Sequence, residues 1–250
     1  MQLSGTVAVL TGAAHGLGRA TAHALARRGV TVVAAGLDDA ALADVATAVG
    51  GSYLPLDVRD PAHADDLVKH ALERHGRLDI VVANAGIGHA GEVAQMTPER
   101  ICDLVDINVR APMLLTRAAL TPMLDQGAGA IVLISSIAAG TLVPRESVYS
   151  ATKAAVEAFA EPLREELRGS GVRVCTVAPA VVATGFFDGR GEPYTRRFPR
   201  PVTAEVVAEA VVRAVEQDRP HTVVPRWLGI APRVRGIAPS LYRTLARRFG

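Results

Sequence analysis

Lysine is nearly absent from this chain, although positive charge is not. Only two of its 27 basic residues are lysines, Lys69 and Lys153, so the position of either one is informative. Cysteine is equally scarce, and Cys102 and Cys175 form no metal-binding or redox spacing. We interpret both as small, buried side chains with free thiols. The seven histidines show no paired ligand spacing, and no metal site is predicted.

Long apolar runs are also missing. No stretch approaches the roughly 18–20 apolar residues that a membrane-spanning helix requires. The first five residues lack the charged and apolar regions of a signal peptide, so a cytoplasmic location is expected. Hydrophobic residues make up 49% of the chain and charged residues 21%, which excludes a disordered or collagen-like protein.

Short runs rich in valine and isoleucine alternate with longer segments of helical periodicity. This alternation predicts a parallel sheet with helices on both faces and right-handed crossovers. No internal repeat or linker-like stretch occurs, so one domain over residues 1–250 is expected. The predicted strands are 6–10, 31–35, 53–55, 80–83, 130–134, 173–177 and 222–224. The predicted helices are 17–28, 39–49, 61–75, 97–124, 148–169 and 203–217.

A glycine-rich turn follows the first predicted strand. It reads Thr11-Gly12-Ala13-Ala14-His15-Gly16-Leu17-Gly18 and opens the first predicted helix. Glycines in such a turn let the backbone approach a pyrophosphate, which then rests on the amides at the helix N-terminus. A turn without a ligand is the alternative, and the strand–turn–helix context favours the nucleotide site.

A second pattern combines Tyr149 and Lys153. Residues four apart lie on one face of a helix, so the phenol and the ammonium are expected within reach of each other. With four tyrosines and two lysines in 250 residues, such a pair arises by chance with a probability of about 0.03 if positions are independent. Ser136 follows the fifth predicted strand, thirteen positions before Tyr149. We therefore interpret these side chains as one functional group rather than an exposed aromatic beside a solvated lysine.

Taken in this order, the motifs resemble the short-chain dehydrogenase/reductase family over residues 5–184. The spacing of the glycines, three residues and then one, is the family's spacing, and Asn84-Ala85-Gly86 matches its turn after the fourth strand. Asn108, inside a predicted helix, matches a further position of the family. The resemblance implies an α/β fold with a Rossmann-type, doubly wound parallel sheet of about seven strands flanked by helices. It also implies an oxidoreductase that interconverts a carbonyl and an alcohol with NADP or NAD.

The resemblance assigns catalytic roles to Asn108, Ser136, Tyr149 and Lys153. Tyr149 would donate a proton to the developing alkoxide, or accept one in the oxidation direction. A free tyrosine has a pKa of about 10, and the Lys153 ammonium is expected to lower it. Lys153 would also hold the nicotinamide ribose, and Ser136 would hydrogen-bond the substrate oxygen. Asn108 would position a water that links Lys153 to solvent.

The same resemblance identifies cofactor contacts. Asp57-Val58 matches the family's adenine-contacting pair, and Thr184 matches a threonine near the nicotinamide carboxamide. The family's Pro-Gly after the sixth strand is Pro179-Ala180 here, so the backbone beside the nicotinamide is expected to run slightly differently. The predicted cofactor-binding residues are Gly12, Ala14, His15, Gly16, Leu17, Gly18, Gly36, Leu37, Asp57, Val58, Asn84, Ala85, Gly86, Tyr149, Lys153, Pro179 and Thr184.

The choice between NADP and NAD depends on the end of the second strand. NAD-preferring members of the family carry an acidic residue there, and this chain has Gly36, which would not repel a 2′-phosphate. NADP-preferring members carry a basic residue at the next position or in the glycine loop, where Leu37 and His15 stand. Asp38 is a further candidate for approaching the ribose. We expect NADP, with NAD as the alternative.

Residues 185–201 are rich in glycine, proline, arginine and aromatics and lack periodicity, which indicates a substrate loop. Phe186, Phe187 and Tyr194 are expected to line the pocket, together with segments 87–93 and 138–146. This composition favours a small, largely hydrophobic carbonyl or alcohol substrate. Family members pair through helices corresponding to 97–124 and 148–169, so a homodimer or homotetramer is expected.

The C-terminal region is purely basic. Seven arginines and no acidic residue follow Asp218, and residues 226–250 form an arginine-rich tail. A helical stripe of Leu241, Leu245 and Phe249 lies beside arginines Arg243, Arg247 and Arg248. We favour docking of this stripe on the body or a neighbouring subunit, and contact with an anionic membrane surface is the alternative. No nucleic-acid-binding module is recognisable, so no nucleic acid partner is expected.

Two other functions stay open on the sequence. One is a catalytically silent dinucleotide-binding sensor or scaffold, which would be expected to have lost the tyrosine or the lysine. The other is a dehydratase or epimerase of the same fold, which the product of a single turnover would identify.

Overall fold

The fold was obtained as a computed structural model that describes residues 1–192, 194, 199–240 and 242–244. Strands and helices alternate along the chain. The strands are β1 (Val7–Thr11), β2 (Thr31–Gly36), β3 (Ser52–Pro55), β4 (Ile80–Ala83), β5 (Gly129–Ile134), β6 (Val172–Pro179) and β7 (His221–Val224). The helices are α1 (Gly16–Ala26), α2 (Asp39–Val49), α3 (Ala62–His75), α4 (Pro98–Val105), α5 (Ala111–Gln126), α6 (Ser147–Glu166), α7 (Ala204–Glu216) and α8 (Ile230–Ile237).

The strands form one seven-stranded parallel sheet in the order β3-β2-β1-β4-β5-β6-β7. The prediction of a doubly wound α/β fold with about seven strands is confirmed. The strand order reverses direction between β1 and β4, which is the topological switch point where such sheets bind ligands at the carboxyl ends of the strands. The glycine-rich turn after β1 lies at this point.

The sheet has a hydrophobic core on each face because successive strand residues point to opposite sides. In β1, Ala8 and Leu10 join the core packed against α1 and α7. Val7 and Val9 join the opposite core, which α3, α5 and α6 cover. Burial on both faces explains why the strands are continuous apolar runs rather than alternating ones.

The predicted helix 97–124 is interrupted in the structure. It divides into α4, a π-helical turn at Asp106–Arg110 and α5. Pro112 has no N–H, so the carbonyl of Asn108 cannot receive the hydrogen bond that the fourth following residue supplies in a regular α-helix. Wide turns of this kind often occur at functional sites. Because the apolar periodicity runs unbroken through this region, the sequence predicted one continuous helix. That prediction was wrong.

The prediction that both cysteines are buried was wrong for one of them. Cys175 is buried in the sheet, whereas Cys102 is exposed on α4. The apolar periodicity around Cys102 places Leu104, rather than the cysteine, on the buried face of α4.

The C-terminal region returns to the body after β7. A 3-10 turn at Arg226–Gly229 leads into α8, and the buried Tyr242 follows. The amide of Leu142 donates to the Tyr242 hydroxyl at 2.9 Å, which fixes this region on the loop after β5. Leu241, Leu245, Phe249, Arg247 and Arg248 lie outside the described residues. Within the described part of the chain, no helix is long and apolar enough to cross a membrane.

Candidate active site

The glycine loop requires glycine at particular positions. Gly12 and Gly16 have φ values of +64° and +51°, in the left-handed region that favours glycine. A Cβ at Gly18 would lie 1.9 Å from the carbonyl oxygen of Gly12. Only glycine therefore lets α1 begin this close to the end of β1, with its N-terminal amides facing the cavity described below.

Asn84 holds the glycine loop in this shape. Its Nδ2 donates to the carbonyl oxygens of Thr11 and Gly12 at 2.9 and 3.2 Å. The Thr11 hydroxyl in turn accepts from the amides of Asn84 and Ala85, both at 3.1 Å. The Asn84-Ala85-Gly86 turn thus joins the ends of β4 and β1 across the switch point.

Tyr149 and Lys153 lie one turn apart on α6 and are both buried. Lys153 Nζ lies 5.9 Å from the centroid of the Tyr149 ring. The ammonium donates to the carbonyl oxygen of Ile134, the last residue of β5, at 2.9 Å. The end of β5 therefore orients the lysine beside the tyrosine.

Ser136 lies two residues beyond β5, close enough to the Tyr149 phenol to lower its pKa. Its own hydroxyl oxygen accepts from the amide of Ala138 at 3.2 Å. The structure thus brings Ser136, Tyr149 and Lys153 together at the carboxyl edge of the sheet, as their spacing predicted.

Burial sets the charge state of this pair. It raises the pKa of Tyr149 to about 12, and the Ser136 hydrogen bond opposes that rise. Burial also lowers the pKa of Lys153 to about 8. The Lys153 ammonium is expected to lower the tyrosine pKa, but desolvation of the phenolate is the largest effect in this cavity, and the Tyr149 pKa rises. Tyr149 is therefore a neutral phenol at neutral pH.

Asn108 lies in the π-helical turn and is almost fully buried. Its Oδ1 accepts from the amide of Ile87, and its Nδ2 donates to the carbonyl of Ile87, both at 2.9 Å. Nδ2 also donates to the Thr152 hydroxyl at 3.1 Å. The side chain therefore ties the loop after β4 to α6. The backbone carbonyl of Asn108 lacks the hydrogen bond that the N–H of residue 112 would supply in a regular α-helix, because residue 112 is proline.

A cavity of about 450 Å³ runs along the carboxyl ends of the strands, a volume within the range of small-molecule sites. Thirteen of the predicted site residues line it. They are Gly12, His15, Gly16, Leu17, Gly18, Asn84, Ala85, Gly86, Ser136, Tyr149, Lys153, Pro179 and Thr184.

The other predicted cofactor residues lie around this cavity rather than in its wall. Ala14 is buried in the core, and a Cβ at Gly36 would lie 3.9 Å from Gly12 Cα. Leu37 is 72% exposed. Asp57 binds the guanidinium of Arg59, and this contact lowers the Asp57 pKa. Val58 lines a separate small depression between α3 and α5.

The backbone after β6 keeps an ordinary conformation despite the alanine. Ala180 does not adopt a positive φ, and its amide donates to the carbonyl of Val224 at 2.8 Å. Thr184 accepts from the amide of Phe186 and lies against Gly16, whose added Cβ would come within 3.2 Å of it. The loop after β6 therefore closes on the glycine loop.

The far end of the cavity is apolar and aromatic. Phe186 packs 5.9 Å from the Tyr149 ring and 5.6 Å from Phe187, which lies 5.6 Å from Tyr194. Segments 87–93 and 138–146 contribute further lining residues, as predicted.

Sequence reasoning missed an ion pair in this wall. The buried Arg190 guanidinium binds the Glu146 carboxylate and lies 4.7 Å from the Phe187 ring centroid. The Arg190 Nε also donates to the carbonyl of Glu192 at 2.9 Å. The partners are 44 residues apart, so no local spacing could indicate the pair. Leu228 and Ala231 of the C-terminal region were missed for the same reason.

No cluster of histidine, cysteine and acidic side chains suited to a metal ion occurs in the described ranges. The cavity lining includes the buried phenol, the ammonium and the Ser136 hydroxyl, beside a helix N-terminus suited to a phosphate group.

Comparison with known proteins agrees with this geometry. The model of the short chain dehydrogenase family matches residues 6–194. The ketoacyl reductase HetN of Nostoc sp. is 35% identical over 232 residues, which cover 89% of this chain and 79% of the relative.

Two solved structures show the same fold. A short-chain dehydrogenase/reductase from Burkholderia phymatum, in complex with NAD, has a TM-score of 0.86 and 28% identity and covers 96% of both chains. An alcohol dehydrogenase from Thermococcus sibiricus, complexed with 5-hydroxy-NADP, has a TM-score of 0.77 and 28% identity, covering 87% of this chain and 94% of that one. With the family model matching most of its length, the chain belongs to the short-chain dehydrogenase family.

Proposed function

We propose that this protein is an NADP-dependent oxidoreductase that interconverts a small, largely hydrophobic carbonyl compound and the corresponding alcohol. The observation that carries the proposal is the contact of Ser136 with Tyr149, and of Lys153 with the end of β5, beside the glycine loop. These groups meet where a carbonyl substrate and a dinucleotide would share one cavity.

The residues present fit a nicotinamide dinucleotide. Gly12 and Gly18 let the loop after β1 pack closely against the start of α1. Gly16, Leu17 and Gly18 line the cavity at this helix N-terminus, where amides and helix dipole favour a pyrophosphate. Gly86 lies against Lys153, since its added Cβ would come within 3.4 Å of Nζ, and both residues line the cavity. When bound, the cofactor supplies or accepts the hydride.

Tyr149 supplies the proton in this proposal. Its raised pKa keeps the phenol protonated at neutral pH, as a general acid requires. Ser136, in contact with the phenol, is placed to hydrogen-bond the same substrate oxygen and to stabilise negative charge that develops there. In the oxidation direction Tyr149 would accept the proton instead.

Lys153 and Asn108 support the proton transfer. The Lys153 ammonium lies close enough to the phenol to stabilise a phenolate as it forms. A Cβ at Gly86 would lie 3.4 Å from Lys153 Nζ and 3.2 Å from Asn108 Oδ1, so the π-helical turn lies close to the ammonium. We propose that a water on the Asn108 carbonyl connects Lys153 to solvent.

Two observations support NADP over NAD. Gly36 leaves no carboxylate at the end of β2. The nearest acid, Asp38, already caps α2 by accepting from the Ala41 amide and also contacts His15 at 3.0 Å. These contacts hold the carboxylate most able to repel a 2′-phosphate against the first turn of α2 and His15.

We also propose that the protein works as a cytoplasmic homodimer or homotetramer. The helices expected to pair are α4, α5 and α6, and α4 and α5 carry exposed Val105 and Leu124. Apolar side chains at such positions suit a contact between subunits.

The decisive experiment compares the wild type with Tyr149→Phe. Cofactor binding is first titrated with NADPH and NADH, and turnover is then measured on a panel of carbonyl compounds. The variant should bind cofactor with unchanged affinity and lose at least about 100-fold in kcat, the usual contribution of a general acid. Tyr53→Phe, on β3, is the matched control.

Unchanged turnover of Tyr149→Phe would refute the proposed acid. A wild type that binds cofactor but reduces no carbonyl compound would favour the silent binding protein, and a dehydrated or epimerised product would favour the third function.

A further inference from the structure

The segment of residues 226–237, here called the C-terminal segment, has an inner face on the cavity. Leu228 is buried, and both Leu228 and Ala231 line the cavity wall. Pro232 packs against Gly140, where an added Cβ would come within 2.9 Å of the proline ring. These contacts fix the orientation of the segment and therefore determine which side chains point outward.

The outer face of the C-terminal segment is apolar. Trp227, Ile230 and Ile237 are 52%, 63% and 87% exposed. They are spaced by three and then seven residues, which places them along one side of the helical segment. Single exposed apolar residues are common on protein surfaces, but three large ones on one short helical face mark an interaction site.

The charged side chains of the C-terminal segment are all positive. Arg226, Arg233 and Arg235 are exposed on the C-terminal segment. No acidic residue occurs between Arg219 and the C-terminus, where seven arginines stand. The whole chain carries a net charge of +2, so residues 1–218 are negative, with a formal charge of −5. The net positive charge of the protein thus comes from its C-terminal end.

We propose that the C-terminal segment docks the protein on an anionic lipid bilayer. A face that mixes tryptophan and isoleucine with arginine matches the interface of such a bilayer, where apolar side chains enter the acyl boundary and guanidinium groups contact the headgroups. A two-fold contact with a second copy would set the arginines of both copies against each other, which charge repulsion disfavours. The docked orientation would place the cavity wall at Leu228 and Ala231 next to the lipid surface.

The test uses the full-length protein and two kinds of vesicle, phosphatidylcholine alone and phosphatidylcholine mixed with phosphatidylglycerol. Trp227 is the only tryptophan in the chain, so a blue shift of its fluorescence reports insertion directly. Co-sedimentation gives the affinity independently. We expect binding and a blue shift with the anionic vesicles alone, and weaker binding as salt is raised.

Variants separate the apolar and charged contributions. Arg226→Gln with Arg233→Gln should lower the affinity about 25-fold, at about fivefold for each arginine near an anionic surface. Ile230→Ser with Ile237→Ser should lower it at least tenfold and remove the blue shift. Matched controls on other faces are Arg117→Gln and Val206→Ser, whose side chains are also exposed, and they should bind like the wild type. Thermal unfolding of each variant verifies the fold.

Three outcomes would overturn the proposal. The wild type could fail to bind anionic vesicles. Binding could depend on the arginines and not on the isoleucines, which would indicate a soluble polyanion as the partner. The isoleucine variant could instead change the molar mass measured by light scattering without any vesicle binding, which would assign the face to a contact between copies of the chain.

Discussion

His15 Nε2 lies 3.0 Å from the carboxylate of Asp38, which joins the glycine loop after β1 to the first turn of α2. Asp38 also accepts from the Ala41 amide, and its pKa is lowered by that backbone hydrogen bond and by His15. The two side chains flank the end of β2, the region that distinguishes the cofactors in the proposed function. Because both are exposed, their pairing adds little to stability. The contact instead fixes the positions of the two side chains at the end of β2.

Gly36→Asp should reverse the cofactor preference. The substitution is sterically open, since an added Cβ meets nothing closer than 3.8 Å. The new carboxylate would repel a 2′-phosphate, and we expect kcat/KM to fall about 10- to 100-fold for NADPH and to rise for NADH. Thr47→Asp, which adds the same charge at an exposed position of α2, is the control. Equal effects on both cofactors would contradict the assignment of this site to the 2′ group.

The rate of carbonyl reduction should fall as pH rises through about 8, the value to which burial lowers the pKa of Lys153. Above that pH the lysine loses the charge that stabilises the forming phenolate, whereas Tyr149, with a pKa of about 12, stays protonated. The oxidation direction should show the opposite slope, because there the phenolate is the required form. Initial rates between pH 6 and about 10, with cofactor affinity measured at each pH, check this prediction. A reduction rate that stays constant up to pH 10 would contradict it.

Lys153→Met should abolish turnover while stabilising the fold at neutral pH. A buried ammonium whose pKa drops from 10.5 to about 8 is disfavoured in the folded state, by an amount on the order of 3 kcal/mol. The hydrogen bond to Ile134 offsets about 1 kcal/mol of this, so urea unfolding at pH 7 should show a gain of about 2 kcal/mol.

The destabilisation by the buried lysine should depend on pH. Below its folded-state pKa of about 8 the buried lysine destabilises the wild type fully, and between pH 8 and 10.5 this penalty disappears because the folded protein releases the proton first. The difference between Lys153→Met and wild type should therefore shrink over that interval. Lys69→Met, at the chain's only other lysine and 70% exposed, should change stability by less than about 0.5 kcal/mol. A destabilised Lys153→Met protein would contradict the argument.

Asn108→Ala should destabilise the fold and slow catalysis together. The substitution removes the partners of the Ile87 amide and carbonyl and of the Thr152 hydroxyl, at an expected cost of about 2–4 kcal/mol in the free energy of unfolding. Turnover should fall because Thr152 belongs to the helix that carries Tyr149 and Lys153. Thr116→Val is the control, since that buried hydroxyl has no hydrogen-bond partner among the residues that the structure describes, and its removal should be neutral or slightly stabilising. Equal losses in both variants would show that Asn108 has no special role.

The fold followed from the sequence because its signals are local. Alternating apolar strands and helical segments define a parallel sheet without reference to distant residues. Where a long-range contact intervenes, the prediction failed. Apolar periodicity runs through 97–124, yet the helix opens into a π-helical turn where Asn108 pairs with Ile87, 21 residues away.

The sequence by itself determined which groups can react and their order along the chain. Tyr149 and Lys153 had to share a helix face at a spacing of four, and the glycine loop had to follow the first strand. Only the tertiary structure decided the environment of these groups. Burial raises the pKa of Tyr149 and lowers that of Lys153, and the Glu146–Arg190 pair and the C-terminal segment complete the cavity. Desolvation and contacts between distant residues arise only when the chain is folded, so no local spacing encodes them.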